Sequence, residues 1–349
     1  MTKTDVRIPV ISDPDELNIP WQTLQTIIAG RSLIDTFELH VNSLDEAYKF
    51  LNTYGFDDNE ELEKLRKTAL EYIDIVLLKE TNLSLPSTVS RLSLPELLLE
   101  ASTRPKTPIS EWSCVTLKVC HAVAHAQWTR DEDAYHGALL KIKQRLRPYL
   151  VETQDETWIG DDNCRIPIVE YSIKAEKQFF RLVTKLLLKE GNLCAGIYDH
   201  IGMRFVTNDI FSAILLIRFL RSRHIFMYAN VLPQESKNSL AEFHLIEALF
   251  SEFSGPIQET ITSSSKGTWP GVDNCYSSKK FKMIKIVERV LVTTHNGHKV
   301  FFPCEIQILT KKTHESLNQK KTNHSAYEKR QVKGVKRRLF HSTSLSGKF

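Results

Sequence analysis

The sequence predicts an α+β fold, in which a helical N-terminal domain precedes a second domain that combines β-strands and helices. In residues 1–150, helix-start signals precede apolar residues at helical spacing. Residues 165–330 instead interleave helical and strand-like segments. Two of the strand-like runs, 281–293 and 299–310, flank an Asn-Gly pair, which is the strongest short signal for a β-hairpin.

The composition is that of an ordinary globular protein. Its 349 residues, 42% hydrophobic and 25% charged, are enough for about two domains. Because no apolar run is long enough to span a membrane and the N-terminus lacks a signal peptide, we expect a cytoplasmic protein without a membrane partner. Six scattered cysteines without a CxxC pair argue against a structural zinc site or a disulfide framework.

Charge and composition predict four segments. Residues 1–150 form the helical domain, 151–164 an acidic linker, 165–330 the second domain, and 331–349 a basic, disordered tail. Residues 311–349 carry 11 Lys and Arg against 2 Asp and Glu. An end this basic attracts phosphate groups, whether those of a nucleotide or of RNA.

The N-terminal helices follow from local signals. Capping boxes begin at Ser43 and Ser93, with Glu46 and Glu96 three residues later. Apolar stripes predict further helices at 59–80, 111–128 and 132–147. His121 and His125 lie one turn apart in one of these helices, a spacing that can hold a metal, but we interpret them as structural because no HExxH pattern surrounds them.

The second domain begins with a predicted helix at 168–190. It would place Lys174, Lys177, Arg181 and Lys185 on one stripe, either as a solvated face or as a site for an anion. We then expect a strand at 193–207, followed by a helix, a short strand, a second helix and a polar loop. These last four are predicted at 209–222, 225–231, 239–253 and 254–274.

The predicted hairpin, with strands at 281–293 and 299–310, is followed by a predicted helix at 311–330, which completes the domain. A two-residue turn at Asn296 and Gly297 would place Glu288 opposite Glu305, unless Pro303 forces a bulge. Glu305 lies in an alternating strand, where a carboxylate is unusual. It belongs either to a polar solvent face or to a metal site.

Several motifs, taken in order, resemble the synthetase domain of the RelA/SpoT family, which makes the alarmone (p)ppGpp. The family patterns are Y-S-I-x-x-K, D-x-x-G-x-R, N-G-Y-Q-S, E-I-Q-I-R-T and T-x-x-M-H with a second His ten residues on. The matching residues are 171–173 (YSI), 199–204 (DHIGMR), 274–278 (NCYSS), 305–310 (EIQILT), 310–314 (TKKTH) and His324. The family's R-x-K element would fall on Ile166 and Ile168, with Arg165 one position away.

The resemblance implies a nucleotidyltransferase-type fold, with a mixed β-sheet flanked by helices, and a set of residue roles. Asp199 and Glu305 would hold Mg²⁺, with Mn²⁺ as an alternative, and Glu305 would also act as the base. The donor phosphates of ATP would contact Arg204, Lys174, Lys177 and Arg181. The acceptor would contact Tyr276, Gln307, His314, Lys311 and Lys312.

The implied activity is transfer of pyrophosphate from ATP to the 3′-hydroxyl of a guanine nucleotide, by a transferase without a hydrolase domain. Two alternatives stay open. One is a pyrophosphokinase acting on the 3′ end of tRNA, which the basic C-terminus favours. The other is a catalytically inactive module that binds a nucleotide or RNA, which the altered R-x-K element favours.

Overall fold

The structure is a computed structural model, which describes residues 28–29, 32–35, 39–128, 131–174, 179–188, 200–241, 282–317, 324–341, 343–344 and 346. It is an α+β protein with a mixed seven-stranded sheet and helices, as the sequence predicts. The chain divides into two compact units. One contains residues 1–124, 187–192 and 335–349, and the other 125–186 and 193–334.

The described residues between 41 and 148 form helices joined by turns and loops. Their helices are α1 Leu44–Tyr54, α2 Asn59–Tyr72, α3 Ser87–Arg91, α4 Leu94–Ser102, α5 Pro108–Trp128 and α6 Glu132–Leu146, with a π-helical turn at Ile73–Leu77 after α2. Both predicted caps are present. The backbone N–H of Glu46 donates to Ser43 Oγ, and that of Ser93 donates to Glu96 Oε2 at 2.7 Å.

Histidine 121 has a structural partner on another helix. Its Nδ1 lies 2.7 Å from the hydroxyl of Tyr54. This contact agrees with the interpretation of His121 as a structural residue.

Seven strands form one sheet in the order β1-β2-β3-β4-β7-β6-β5. The strands are β1 Leu150–Glu152, β2 Thr157–Asp161, β3 Cys164–Lys174, β4 Ile201–Thr207, β5 Lys237–Asn238, β6 Ile284–Thr293 and β7 Lys299–Thr310. Strands β4 and β7 are parallel, and each of the other neighbouring pairs is antiparallel. The remaining helices are α7 Phe179–Leu188, α8 Ile210–Ser222, α9 Lys311–Leu317 and α10 His324–Phe340.

One face of the sheet, the apolar face, carries the core of its unit. Helices α6 and α8 contribute side chains to this core, together with alternate residues of β3, β4, β6 and β7. Examples are Met203, Phe205, Ile306 and Ile308, each at most 1% exposed. Helix α6 therefore packs on the sheet, although it precedes the domain boundary expected at residue 150.

Strands replace the expected linker and the first part of the long helix predicted after it. Residues 151–164 contribute to β1, β2 and the start of β3. The helix predicted at 168–190 is wrong in its first part, because residues up to Lys174 pair with β4 and only α7 is helical. The basic residues therefore do not form one helical stripe, since Lys174 lies on a strand and Arg181 on α7.

The predicted hairpin exists, but its turn is one residue longer than expected. Thr294 and His298 close a three-residue loop, in which Gly297 adopts φ of +80°. The longer loop shifts the register, so that Val287 is opposite Glu305 and Glu288 is opposite Cys304. The predicted pairing of Glu288 with Glu305 is therefore wrong, and the two carboxylates lie on opposite faces.

Two other expectations differ from the structure. The short strand at 225–231 is a 3₁₀ turn, Tyr228–Asn230, followed by a single bridge from Val231 to Glu288. The basic tail is not disordered throughout, because α10 continues to Phe340 with Val335 and Leu339 fully buried.

The helix predicted at 239–253 lies mostly outside the described residues, and the loop at 254–274 lies entirely outside them. Within the part of the chain that the structure covers, no helix is long and apolar enough to cross a membrane.

Candidate active site on the polar face of the sheet

The opposite face of the sheet, here called the polar face, collects four of the eight predicted site residues that the structure describes. Because side chains alternate along a strand, residues facing away from the apolar core share this surface. The register aligns Lys174, Gly202 and Glu305 across β3, β4 and β7, and Ser172, Arg204 and Gln307 in the next row. The parallel pair β4–β7 thus brings together two motifs that are about 100 residues apart.

A hydrogen-bond chain joins three of these residues. Arg204 donates from Nε and Nη2 to Gln307 Oε1 at 3.1 and 2.8 Å. The side-chain amide of Gln307 in turn donates to Glu305 Oε1. Glu305 is only 8% exposed, so its carboxylate is oriented in a largely buried setting. The side chain of Gln307 thus connects the arginine with the carboxylate, and its contact with the acceptor stays a prediction.

Further cations surround this chain. Burial lowers the pKa of Arg204, and the nearby Glu170 and Glu305 carboxylates oppose that shift. Partial burial is the main cause that lowers the pKa of Lys174, and the positive charges of Arg204 and Arg181 lower it further. Lys285 pairs with Gln307 across β6 and β7 and so adds another cation to the polar face. A concentration of positive charge of this kind is suited to an anion that carries several charges.

Helix α9 adds a histidine to the polar face. His314 Nε2 lies 3.1 Å from Oε2 of Glu170 on β3. Lys311 and Lys312, one turn earlier, are exposed. The predicted acceptor residues on α9 are thus divided between one that contacts β3 and two that face solvent.

Arg181 forms an ion pair with a carboxylate outside the sheet. It lies on α7 and forms an ion pair with Glu328 of α10. Burial lowers the pKa of Arg181. Its guanidinium is close enough to influence Lys174, which places it at the same cluster of cations.

Three predicted site residues, Asp199, Lys177 and Tyr276, lie outside the described residues. Glu305 offers the oxygen ligand that Mg²⁺ prefers, and Asp199 lies two residues ahead of β4 in the sequence. Among the residues that the structure describes, no group of three or more His, Cys, Asp or Glu could hold a metal ion. A cation here would therefore need Asp199 or ligands from the substrate.

The positions of the family's R-x-K element are part of the core. Ile166 and Ile168 are 1% and 5% exposed on the apolar face. The neighbouring Arg165 is exposed, with its guanidinium 4.8 Å from the centre of the Trp158 ring. Neither isoleucine supplies a cation, so this part of the family's donor site is absent at those two positions.

Sequence reasoning missed two residues of the polar face, Lys285 and Glu170. Strand alternation in 281–293 places Lys285 opposite the apolar residues, but the wrong turn length hid its pairing with Gln307. Glu170 gives no local signal, because simple alternation puts it on the same face as Ile168. A β-bulge between Ile168 and Glu170 reverses that orientation.

No protein-family model matches the sequence, and a comparison with curated proteins gives no match. Among solved structures, the chain is similar to small alarmone synthetase 2 from Bacillus subtilis (15% identity, TM-score 0.31, 62% of this chain and 92% of that chain). It is also similar to small alarmone synthetase 1 from Bacillus subtilis bound to its product pppGpp (14%, 0.33, 61% and 91%). A third is a GTP pyrophosphokinase family protein from Streptococcus pneumoniae (14%, 0.32, 61% and 88%).

Proposed function

We propose that the polar face of the sheet catalyses Mg²⁺-dependent transfer of pyrophosphate from ATP to the 3′-hydroxyl of a guanine nucleotide. The observation that carries this proposal is the chain from Arg204 through Gln307 to Glu305. It joins a guanidinium to a buried carboxylate on adjacent parallel strands, and a guanidinium is well suited to phosphate. This is the pairing that phosphoryl-group transfer requires, since catalysis there depends on positioning and on neutralising charge.

The residues would act as follows. Arg204 can bind two phosphate oxygens at once, and Lys174 adds a point charge beside it. The hydroxyl oxygen attacks the β-phosphorus of ATP, the bond from that phosphorus to the α,β-bridging oxygen breaks, and AMP leaves with the electron pair. Glu305 takes the hydroxyl proton as general base.

The metal contributes charge neutralisation on the phosphates when it is bound. Glu305 and Asp199 would hold it, because both supply the carboxylate oxygens that Mg²⁺ prefers. Gln307 keeps the Glu305 carboxylate oriented, since its amide donates to one carboxylate oxygen.

The test uses ATP labelled on its β-phosphate, Mg²⁺ and either GDP or GTP. We expect label on the guanine nucleotide with the native protein and at least 100-fold less with Glu305→Gln. Glu156→Gln is the matched control, because it makes the same change at an exposed acid in the β1–β2 turn. Equal transfer by the native protein and Glu305→Gln would refute the site assignment.

A second acceptor, the 3′ end of tRNA, is favoured by α10. This helix carries exposed lysines at 329 and 333, one turn apart, together with Arg330. Basic side chains on one helix contact nucleic-acid phosphates without regard to sequence. Bulk tRNA is therefore included in the same assay, and label on tRNA alone would replace the guanine-nucleotide acceptor. Nucleotide binding without transfer to any acceptor would identify an inactive binding module.

A further inference from the structure

We propose that Glu170 is an internal counter-anion of the phosphate site. In the free protein, its carboxylate interacts with the cationic side chains of the site, and this lowers the affinity of the site for phosphate. The proposal rests on the proposed function, because it concerns the same donor-phosphate site. It assigns a role in binding specificity to a residue that neither the motifs nor the catalytic chemistry requires.

The backbone turns Glu170 towards this site. At β3, Ile168 pairs with Thr207 and Glu170 pairs with the next residue of β4, Val206, so Val169 is the extra residue of a bulge. Val169 is 43% exposed, whereas Ile168 remains in the apolar core. Without the bulge, Glu170 would share the face of Ile168. With it, Glu170 lies on the polar face, and bulges commonly redirect side chains in this way beside functional sites.

Glu170 then lies near basic side chains from three elements. His314 of α9 contacts it at 3.1 Å. Arg204 of β4 interacts with it electrostatically, as does Lys174 further along β3. The side chain of Glu170 is 48% exposed, so an incoming ligand can reach the carboxylate and displace it.

A phosphate chain that enters this cluster competes with Glu170 for the same cations. In the free protein, the carboxylate offsets the repulsion between these like charges. The same carboxylate repels a polyphosphate, so its neutralisation should strengthen binding. Because the interaction is between partly solvated charges over a few ångströms, we expect a change of about tenfold.

The experiment measures binding of inorganic tripolyphosphate by calorimetry without metal, so that it depends on neither catalysis nor Mg²⁺. The variants are Glu170→Gln, Glu170→Asp and Glu315→Gln. Glu315 is the matched control, because it is an exposed acid next to His314 and forms no ion pair with the residues described here. Thermal unfolding of each variant checks that the fold is intact.

We expect Glu170→Gln to bind tripolyphosphate about tenfold more tightly than the native protein, and Glu170→Asp and Glu315→Gln to change binding by less than threefold. Unchanged or weaker binding by a folded Glu170→Gln would overturn the inference and leave the proposed transfer activity intact. Equal gains with Glu170→Gln and Glu315→Gln would also overturn it, since net charge alone would then explain the effect. If no protein binds the probe, both the inference and the donor site are wrong. Tighter binding without any transfer activity would support the inference and reject the proposed function.

Discussion

Replacing Gln307 by leucine tests whether the hydrogen-bond chain on the polar face organises the site. Leucine has a similar volume but cannot accept from Arg204 or donate to Glu305. The change removes two hydrogen bonds from the guanidinium and one to the carboxylate. Because a hydrogen bond contributes about 1 kcal/mol net, the loss of three bonds should lower the free energy of unfolding by about 3 kcal/mol.

The assay combines urea unfolding with the labelled-ATP transfer measurement. We expect transfer by Gln307→Leu to fall about 100-fold, because small displacements of reacting groups have effects of this size. Gln331→Leu is the control, since Gln331 is also buried but donates one hydrogen bond to the Tyr327 hydroxyl at 3.0 Å. It should lose about 1 kcal/mol and keep its transfer rate. If Gln307→Leu matches this control in both measurements, the Arg204–Gln307–Glu305 chain does not organise the site.

Three further predictions concern the stability of the fold. Gly160→Ala should destabilise the β2–β3 hairpin by several kcal/mol in urea unfolding, because the added Cβ would overlap the carbonyl oxygen of Cys164. A free energy of unfolding equal to that of the native protein would contradict this close packing. Burial lowers the pKa of Lys118 to about 8. Between pH 8 and 10.5, the free energy of unfolding of the native protein should therefore rise by about 3 kcal/mol relative to that of Lys118→Met, and a difference that does not change with pH would contradict this. Burial raises the pKa of Glu288 despite its ion pair with Arg145; the native protein should therefore lose stability relative to Glu288→Gln as the pH rises above about 4.5, and the opposite slope would refute a raised pKa.

The helical elements followed from local signals. Ser43 and Ser93 cap α1 and α4 as the capping boxes predict, because a cap involves only residues three positions apart. The helix after Asp209 and the two strands of the hairpin were also predicted correctly. In each case, spacing and turn residues within about 15 positions contain the necessary information.

Errors arose where pairing with a distant strand decided the conformation. Lys174 fits a helical stripe with Arg181, yet its segment pairs with β4, and that contact cannot be read from local spacing. The turn at Asn296 and Gly297 is compatible with either two or three loop residues. One extra residue moves Glu288 to the apolar face, because side chains alternate along a strand.

The motif order in the sequence selected Glu305, Arg204 and Gln307 as site residues, and strand alternation predicted that Glu305 and Gln307 share a face. The tertiary structure decided what surrounds them. Parallel pairing of β4 with β7 brings Arg204 to Gln307, and the bulge at Val169 turns Glu170 towards His314. Both depend on contacts between segments far apart in the chain, whose geometry is set by the packing of the whole sheet and not by local propensity.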